Sequence, residues 1–115
     1  TPSNSSAASD VYKRQAKYIV KELLAKGARV IVYDPYTSES FGAERVNTLE
    51  DAVKDADAVV IVTDHPEFRN LDLESIARLV RHRIIVDGRR VVEPYQAVKH
   101  GFRYYGIGYG RAIKL

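Results

Sequence analysis

The stretch Arg83–Arg90, Arg-Ile-Ile-Val-Asp-Gly-Arg-Arg, decides the fold. Within it, Ile84–Asp87 is a mostly apolar run without polar alternation, which is typical of a short strand in a sheet that is covered on both faces. Gly88 follows, a residue type that can adopt backbone angles other residues avoid. Two arginines come directly after it. The sequence therefore predicts a buried strand with two positive charges at its carboxyl end.

The position of these arginines suggests a ligand site. Open α/β sheets bind ligands at the carboxyl ends of their strands, so Arg89 is expected to lie where it could bind an anionic ligand. The planar fork of a guanidinium group suits phosphate in particular. The alternative is that Arg89 and Arg90 are solvated loop charges, and spacing alone leaves both interpretations open.

Composition restricts the class of protein. The chain has 115 residues, 45% of them hydrophobic and 29% charged, as in an ordinary globular domain. Its net charge of +3 is below the bias of a dedicated nucleic-acid binder. The absence of cysteine excludes disulfides, thiolate metal sites and a cysteine nucleophile within this chain. No apolar run approaches the roughly 18 residues of a membrane span, and no signal peptide is present, so we expect a cytoplasmic protein without a membrane partner.

The amino-terminal end predicts an incomplete βαβ unit. Thr1–Ser9 is small and polar, so we expect a disordered or foreign leader before a domain over residues 10–115. A helix is predicted over Asp10–Lys26 with Gly27 as its stop, and Arg29–Asp34 forms a short β-branched strand. Because helix and then strand is the second half of a βαβ unit, the first strand is expected to be missing.

Further along, apolar strands alternate with helices. Tyr36–Arg45 is predicted as a loop, with one short extended pairing at Val46. The later predicted elements are a helix over Leu49–Asp55 capped by Thr48, a strand over Asp57–Thr63, a helix over Leu73–Arg81 capped by Asp72, a helix over Tyr95–Lys99 and a strand over Phe102–Ile107. This alternation predicts an α/β fold, a Rossmann-like three-layer sandwich with a mostly parallel sheet.

Polar residues follow three of the predicted strands, where a parallel sheet would bring them to one edge. They are Tyr33 and Asp34, then Thr63, Asp64 and His65, and finally Asp87, Gly88 and Arg89. One interpretation is a nucleotide site in which Arg89 pairs with a phosphate and a carboxylate accepts from a ribose hydroxyl. On this interpretation the substrate-binding residues are Arg89, Asp87 and Gly88, and the rim of the site is formed by Tyr33, Asp34, Thr63 and His65. The other is that Asp34 and Asp64 cap the loops after their strands.

Other candidates carry weaker signals, and no catalytic residue is assigned. His65 has no assignable nucleophile or orienting partner, so we expect a role in a turn or in packing. No spacing of His, Asp and Glu predicts a metal site. Gly106–Gly110 is glycine-rich, but no helix pattern follows it, so an exit turn is predicted rather than a phosphate loop. The arginines between positions 78 and 90 lack an aromatic stacking pattern, and we expect no nucleic-acid partner.

Several of these motifs occur together in a known family. They are Leu23–Ala28, Val32–Pro35, Ala56–Thr63, His65–Phe68, Val86–Arg89 and Tyr105–Gly108. In this order and spacing they resemble the carboxy-terminal domain of the UDP-glucose/GDP-mannose dehydrogenase family over about residues 16–111. The variants with His65 and Tyr109-Gly110-Arg111 look closest to UDP-N-acetylmannosamine or UDP-glucose dehydrogenases.

The resemblance implies a substrate-binding role. Enzymes of this family oxidise the C6 alcohol of a nucleotide sugar to a carboxylate in two NAD-dependent steps. Their amino-terminal domain holds NAD, a middle helical domain carries the catalytic cysteine and mediates dimerisation, and the carboxy-terminal domain binds the UDP part. By resemblance, Arg89 contacts the UDP-sugar, the cofactor is NAD, and the partners are the remaining domains in a homo-oligomer.

The chain also departs from the family pattern. The family's domain opens with a strand and a Phe-Lys segment that contact the nucleotide, followed by an Asp-x-Arg-Glu-Ser stretch whose arginine reaches NAD. Here Tyr12 stands at that arginine position, after Asp10-Val11. With no cysteine either, the chain is expected to be an inactive fragment of a dehydrogenase. The alternatives are a stand-alone nucleotide-binding or regulatory module and a structural domain without a ligand.

Overall fold

The computed structural model describes residues 4–36 and 39–106, with side chains from Arg14 onward. The chain divides into two compact units between Ala52 and Val53. The described residues of each unit contain one sheet, and every strand pair in these sheets is parallel. The α/β class predicted from the sequence is therefore confirmed. The glycine-rich stretch at 107–110 lies outside the described residues.

The first helix, α1, spans Asn4–Ala25 and begins earlier than predicted. The expectation of a disordered leader is therefore wrong for residues 4–9, and residues 1–3 lie outside the description. After Pro2 the leader contains no proline or glycine, and Ala7 and Ala8 are the best helix formers. Because a helix extends easily once it has nucleated, these residues continue the helix that follows them. The foreign origin of the leader stays a prediction.

The first unit has a small two-stranded sheet. Strand β1, Ile31–Val32, pairs with β2, Glu44–Arg45, and β1 is shorter than the predicted strand over Arg29–Asp34. The pairing predicted at Val46 exists as a backbone hydrogen bond to the Val32 carbonyl, but β2 itself was predicted as loop. Its two charged residues show no apolar periodicity from which a strand could be predicted.

Helix α2, Leu49–Val53, follows in the chain. Its cap is as predicted, because Thr48 Oγ1 accepts a hydrogen bond from the Asp51 amide at 3.1 Å.

The second unit contains the sheet that bears the Arg83–Arg90 stretch. Its elements are β3 Val59–Ile61, a 3-10 helix Pro66–Asn70, α3 Leu73–Leu79, β4 Ile84–Asp87, α4 Pro94–Lys99 and β5 Arg103–Gly106. The strand order is β3-β4-β5, so β4 is central. In register, Asp87 lies between Ile61 of β3 and Gly106 of β5. The predicted strand over Ile84–Asp87 is confirmed at both ends.

Hydrogen bonds at the ends of α3 set its length. Asp72 caps the helix as predicted, since its carboxylate accepts from the Ser75 amide at 3.2 Å and from the Ser75 hydroxyl at 2.8 Å. These bonds, the hydroxyl one above all, lower the pKa of Asp72. The helix ends two residues before the predicted Arg81, because the amides of Arg81 and His82 donate to the Ala56 carbonyl instead of continuing the helix.

Two glycines end helices in the left-handed conformation. Gly27 after α1 has φ +88° and Gly101 after α4 has φ +85°. Beyond Gly101, the Phe102 amide donates to the Ala97 carbonyl, which closes the helix end and turns the chain into β5. Both glycines stand where the sequence predicted a helix stop.

The two faces of the larger sheet differ in burial. Ile85 and Asp87 of β4 are almost wholly buried, with exposed fractions of 1% and 0%, and so is Tyr104 of β5. On the edge strand β3, however, Val60 is 41% exposed. The apolar runs had predicted strands covered on both faces, and the structure buries one face more completely than the other. Apolar sequence alone does not distinguish these cases, because edge strands also tolerate valine and isoleucine.

Truncation of one residue on each face tests this difference. We expect Ile85→Ala to lower the free energy of unfolding by about 2–5 kcal/mol, because it removes methyl groups from a closed core. Val60→Ala should cost about 1 kcal/mol or less, since its side chain is already partly hydrated. Urea denaturation of both variants measures the difference. Equal losses would show that both faces are packed alike.

Candidate functional site

The carboxylate of Asp87 forms the centre of the site at the carboxyl end of β4. Within the described residues it accepts three hydrogen bonds, and its side chain is fully buried. Oδ2 accepts from the Val92 amide at 2.7 Å and from the Tyr104 hydroxyl at 2.9 Å, while Oδ1 accepts from the Arg89 amide at 3.2 Å. The loop after β4 is therefore held from both sides by one side chain.

Tyr104 reaches this carboxylate from the neighbouring strand. It pairs in register with Ile85, two residues before Asp87, so its ring lies on the same face as the carboxylate. Burial of the phenol, together with its hydrogen bond to Asp87, raises the pKa of Tyr104 well above its usual value near 10. Gly106 makes room for the ring: a Cβ there would lie 2.9 Å from Cε2 and 3.1 Å from the hydroxyl oxygen of Tyr104.

Gly88 allows a close approach of the loop to β3. Its amide donates to the Ile61 carbonyl at 2.9 Å, and a Cβ would lie 3.0 Å from that same oxygen. Unusual backbone angles, which the sequence suggested, are not the reason, because Gly88 has no positive φ. The left-handed conformation falls instead on Arg90, with φ 56°. A non-glycine residue in this region is uncommon and is often associated with a functional loop.

The two arginines are both half-buried, so they are not the fully solvated loop charges of the alternative interpretation. Arg89 is fixed through its amide by Asp87, and the loop then turns inward at Val91 and Val92, which are buried. The loop thus places two half-buried arginines directly after the carboxyl end of the central strand.

The end of β3 lies at the same edge of the sheet, because β3 and β4 are parallel. Thr63 is buried, and Oδ2 of Asp64 accepts from Arg69 at 2.5 Å. His65 begins the 3-10 helix, where its carbonyl accepts from the Phe68 amide, and its ring lies 5.4 Å from the Phe68 ring. The structure therefore brings Thr63 and His65 to the edge that carries Arg89.

Tyr33 and Asp34 follow β1 and belong to the first unit. Asp34 Oδ1 accepts from the Tyr36 amide at 2.8 Å, and the Asp34 carbonyl accepts from Arg45 at 3.2 Å. This carboxylate stabilises the turn after its strand, which is the capping role that the sequence left open. That Tyr33 and Asp34 share an edge with Arg89 stays a prediction.

A cleft of about 420 Å³ lies elsewhere in the second unit. Its lining comes from the 3-10 helix, the start of α3 and α4: Phe68, Arg69, Asn70, Leu71, Asp72, Leu73, Glu74, Val92, Glu93, Gln96 and His100. Its three carboxylates are engaged, Asp72 and Glu93 as helix caps and Glu74 in an ion pair with Arg78. None of the predicted site residues lines it. We therefore place the candidate site at the polar edge rather than in the cleft.

The described residues do not suit a metal ion or a dinucleotide. Among them, no group of three or more His, Cys, Asp or Glu side chains could hold a metal. The turns after β3 and β4, Thr63–His65 and Gly88–Arg90, lack the glycine spacing of a dinucleotide phosphate loop. No helix among residues 4–36 and 39–106, which the structure describes, is long and apolar enough to cross a membrane.

Comparison with known proteins identifies the domain. Residues 8–94 match the UDP binding domain of the UDP-glucose/GDP-mannose dehydrogenase family, which is well over half of the chain. The chain belongs to this family. The match contains the whole Arg83–Arg90 stretch and stops before Tyr104.

Individual members of the UDP-glucose/GDP-mannose dehydrogenase family agree with this. A UDP-N-acetyl-D-mannosamine dehydrogenase from Pyrococcus horikoshii is 43% identical over 81 residues, covering 70% of this chain and 18% of the relative. A UDP-glucose 6-dehydrogenase from Rickettsia bellii is 36% identical over 106 residues, covering 86% of this chain and 24% of the relative. The chain thus spans a quarter or less of these relatives.

A solved structure supports the fold assignment. An NDP-N-acetyl-D-galactosaminuronic acid dehydrogenase from Methanosarcina mazei Go1 superposes with a TM-score of 0.70 at 35% identity, over 80% of this chain and 19% of the other. The family resemblance predicted from the motifs is confirmed by these relatives.

Tyr104 was not predicted from the sequence as a residue near the candidate site. The available signal was slight: a tyrosine in a predicted strand, followed two residues later by Gly106 on the same face. Only the register of β5 against β4 shows that its hydroxyl meets Asp87.

The raised pKa of Tyr104 predicts a dependence of stability on alkaline pH. Because the folded state holds the proton more tightly than the unfolded state, this contribution is complete below about pH 10 and declines as the pH rises above it. Tyr104→Phe should therefore be less stable at neutral pH, yet lose less stability above about pH 10. Urea denaturation over a pH series measures both effects.

Tyr105→Phe is the matched control, since it removes a hydroxyl from the adjacent, half-buried tyrosine of β5. Its alkaline profile should follow that of the wild type. If Tyr104→Phe also ran parallel to the wild type, the folded state would not raise the pKa of Tyr104.

Proposed function

We propose that this chain is the UDP-binding portion of an NAD-dependent nucleotide-sugar dehydrogenase, and that Arg89 contacts the diphosphate of the UDP-sugar. One observation carries the proposal. A guanidinium group inside the family match follows the central strand of a parallel sheet, on a loop held by a buried carboxylate. The carboxyl ends of parallel strands are where such folds bind nucleotides.

The chemistry of the edge suits a diphosphate. Arginine donates two parallel hydrogen bonds to phosphate oxygens, and these charge-assisted bonds are stronger than neutral ones. Arg90 adds a second positive charge one residue away, on a residue with a left-handed backbone conformation. Thr63 and His65 stand at the same edge as further polar groups.

The roles proposed for the other predicted residues follow from their burial. The Asp87 carboxylate is enclosed, so we infer that it supports the binding loop rather than contacting the nucleotide itself. Gly88 permits the close approach of the loop to β3. Neither residue is proposed to take part in bond making or breaking.

The complete reaction is proposed to need parts outside this chain. It is the oxidation of the sugar C6 alcohol to a carboxylate, in which NAD accepts the hydride at each of two steps. This chain has no cysteine to serve as a nucleophile. We therefore propose that further domains of the dehydrogenase, assembled as a homo-oligomer, supply NAD and the reacting groups, while this domain holds the UDP part in place.

Calorimetric titration with UDP tests the binding site. Arg89→Ala should weaken UDP binding by about 1.5–3 kcal/mol, which is roughly 10- to 150-fold, because a charge-assisted contact is lost. Uridine should bind weakly to both proteins, since it has no phosphate for Arg89 to contact.

Arg103→Ala serves as the matched control. It removes the same charge from an exposed arginine at the opposite, amino-terminal end of β5. Its affinity for UDP should equal that of the wild type. An equal loss of UDP affinity in the two variants would show that the overall charge of the protein, rather than a contact with Arg89, is responsible. An unchanged affinity of Arg89→Ala would exclude Arg89 from the site.

A further inference from the structure

We propose that Tyr104 is a positioning residue for the nucleotide site, which acts on Arg89 through the carboxylate of Asp87. The inference rests on the proposed function, because it assumes that Arg89 contacts UDP. It assigns a role in ligand binding to a residue outside the segment that matches the family.

The path from Tyr104 to Arg89 consists of two hydrogen bonds. The Tyr104 hydroxyl donates to Asp87 Oδ2 at 2.9 Å, and the Arg89 amide donates to Asp87 Oδ1 at 3.2 Å. The Val92 amide, at 2.7 Å from Oδ2, fixes the far side of the loop to the same carboxylate. The Val92 amide and the Tyr104 hydroxyl both donate to Oδ2 of Asp87. The hydroxyl thereby helps to orient the carboxylate so that its other oxygen, Oδ1, accepts from the Arg89 amide.

The loop depends on such a support because its backbone is unfavourable at Arg90. This residue has a left-handed conformation, which costs energy for a residue with a Cβ. Unfavourable backbone conformations persist only where the surrounding contacts determine them. From β5, the hydroxyl of Tyr104 reaches Asp87, the side chain that holds this loop.

The space around Tyr104 is shaped for its ring. Tyr104 is fully buried, and Gly106 removes the one Cβ that would collide with Cε2 and the hydroxyl oxygen. The hydroxyl is thereby aimed at Asp87. A phenylalanine would fill the same volume but leave Oδ2 with one donor fewer.

A double-mutant cycle on UDP affinity tests the proposal in the full chain. Tyr104→Phe should bind UDP about 2- to 10-fold more weakly than the wild type, the equivalent of one hydrogen bond. Arg89→Lys keeps the positive charge, so its weaker UDP binding stays measurable. The lysine ammonium is a point charge, and its interaction with phosphate does not depend on the orientation of a planar guanidinium group. In the Arg89→Lys background, Tyr104→Phe should therefore change affinity by less than about twofold.

Two further measurements separate positioning from a general loss of structure. Amide hydrogen exchange of Arg89 and Val92 should become faster in Tyr104→Phe, whereas the control Tyr105→Phe should leave both the exchange and the UDP affinity unchanged. All affinities are measured at a temperature at which circular dichroism shows each variant folded. If Tyr104→Phe does not fold, Gly106→Ala replaces it, because the added methyl group displaces the ring without removing a polar group.

The outcomes distinguish the two proposals. Weakening of the same size in both backgrounds, or an unchanged affinity of Tyr104→Phe, overturns the positioning role while Arg89 remains the contact. An unchanged affinity of Arg89→Lys and Arg89→Ala overturns the site itself. A wild-type chain that does not bind UDP overturns the proposed function and the inference with it.

Discussion

A buried carboxylate holds together the end of the central strand. Burying an ionised group is costly unless its oxygens receive strong hydrogen bonds, and Asp87 receives them from the following loop and from β5. An ionised carboxylate can only accept hydrogen bonds. It therefore binds several donors at one place, and these donors would otherwise need separate acceptors. The Arg89 amide, the Val92 amide and the Tyr104 hydroxyl are all held by this single group.

Much of the fold could be predicted from local sequence. The apolar run at Ile84–Asp87 ends at a glycine, so both ends of β4 were predictable, and the cap at Asp72 marked the start of α3. Errors arose where a distant group competed with local propensity. The carbonyl of Ala56 takes the amides that would have extended α3, and β2 forms from two charged residues whose only strand signal is their partner.

The edge of the sheet that carries the candidate site could be predicted from the sequence, but the burial and contacts of its residues could not. Strand-end logic selects Arg89, because parallel strands place their carboxyl ends at one edge. The same logic predicted Asp87 as a substrate-binding residue. That its side chain is buried could not be predicted, because the neighbouring residues in sequence do not indicate it. The contact of Tyr104 with Asp87 could not be predicted, because it depends on the register of β5 rather than on spacing along the chain.

The position of Tyr104 also bears on where the folded domain ends. The family match stops at residue 94, at the start of α4, whereas the hydroxyl that completes the Asp87 cluster comes from the next strand. A shorter polypeptide cut at the limit of the recognisable segment would keep both arginines, but the buried Asp87 carboxylate would lose a donor and the central strand would keep β3 as its one neighbour. The segment that can be recognised by its sequence therefore ends before the segment that supplies all the observed contacts of Asp87.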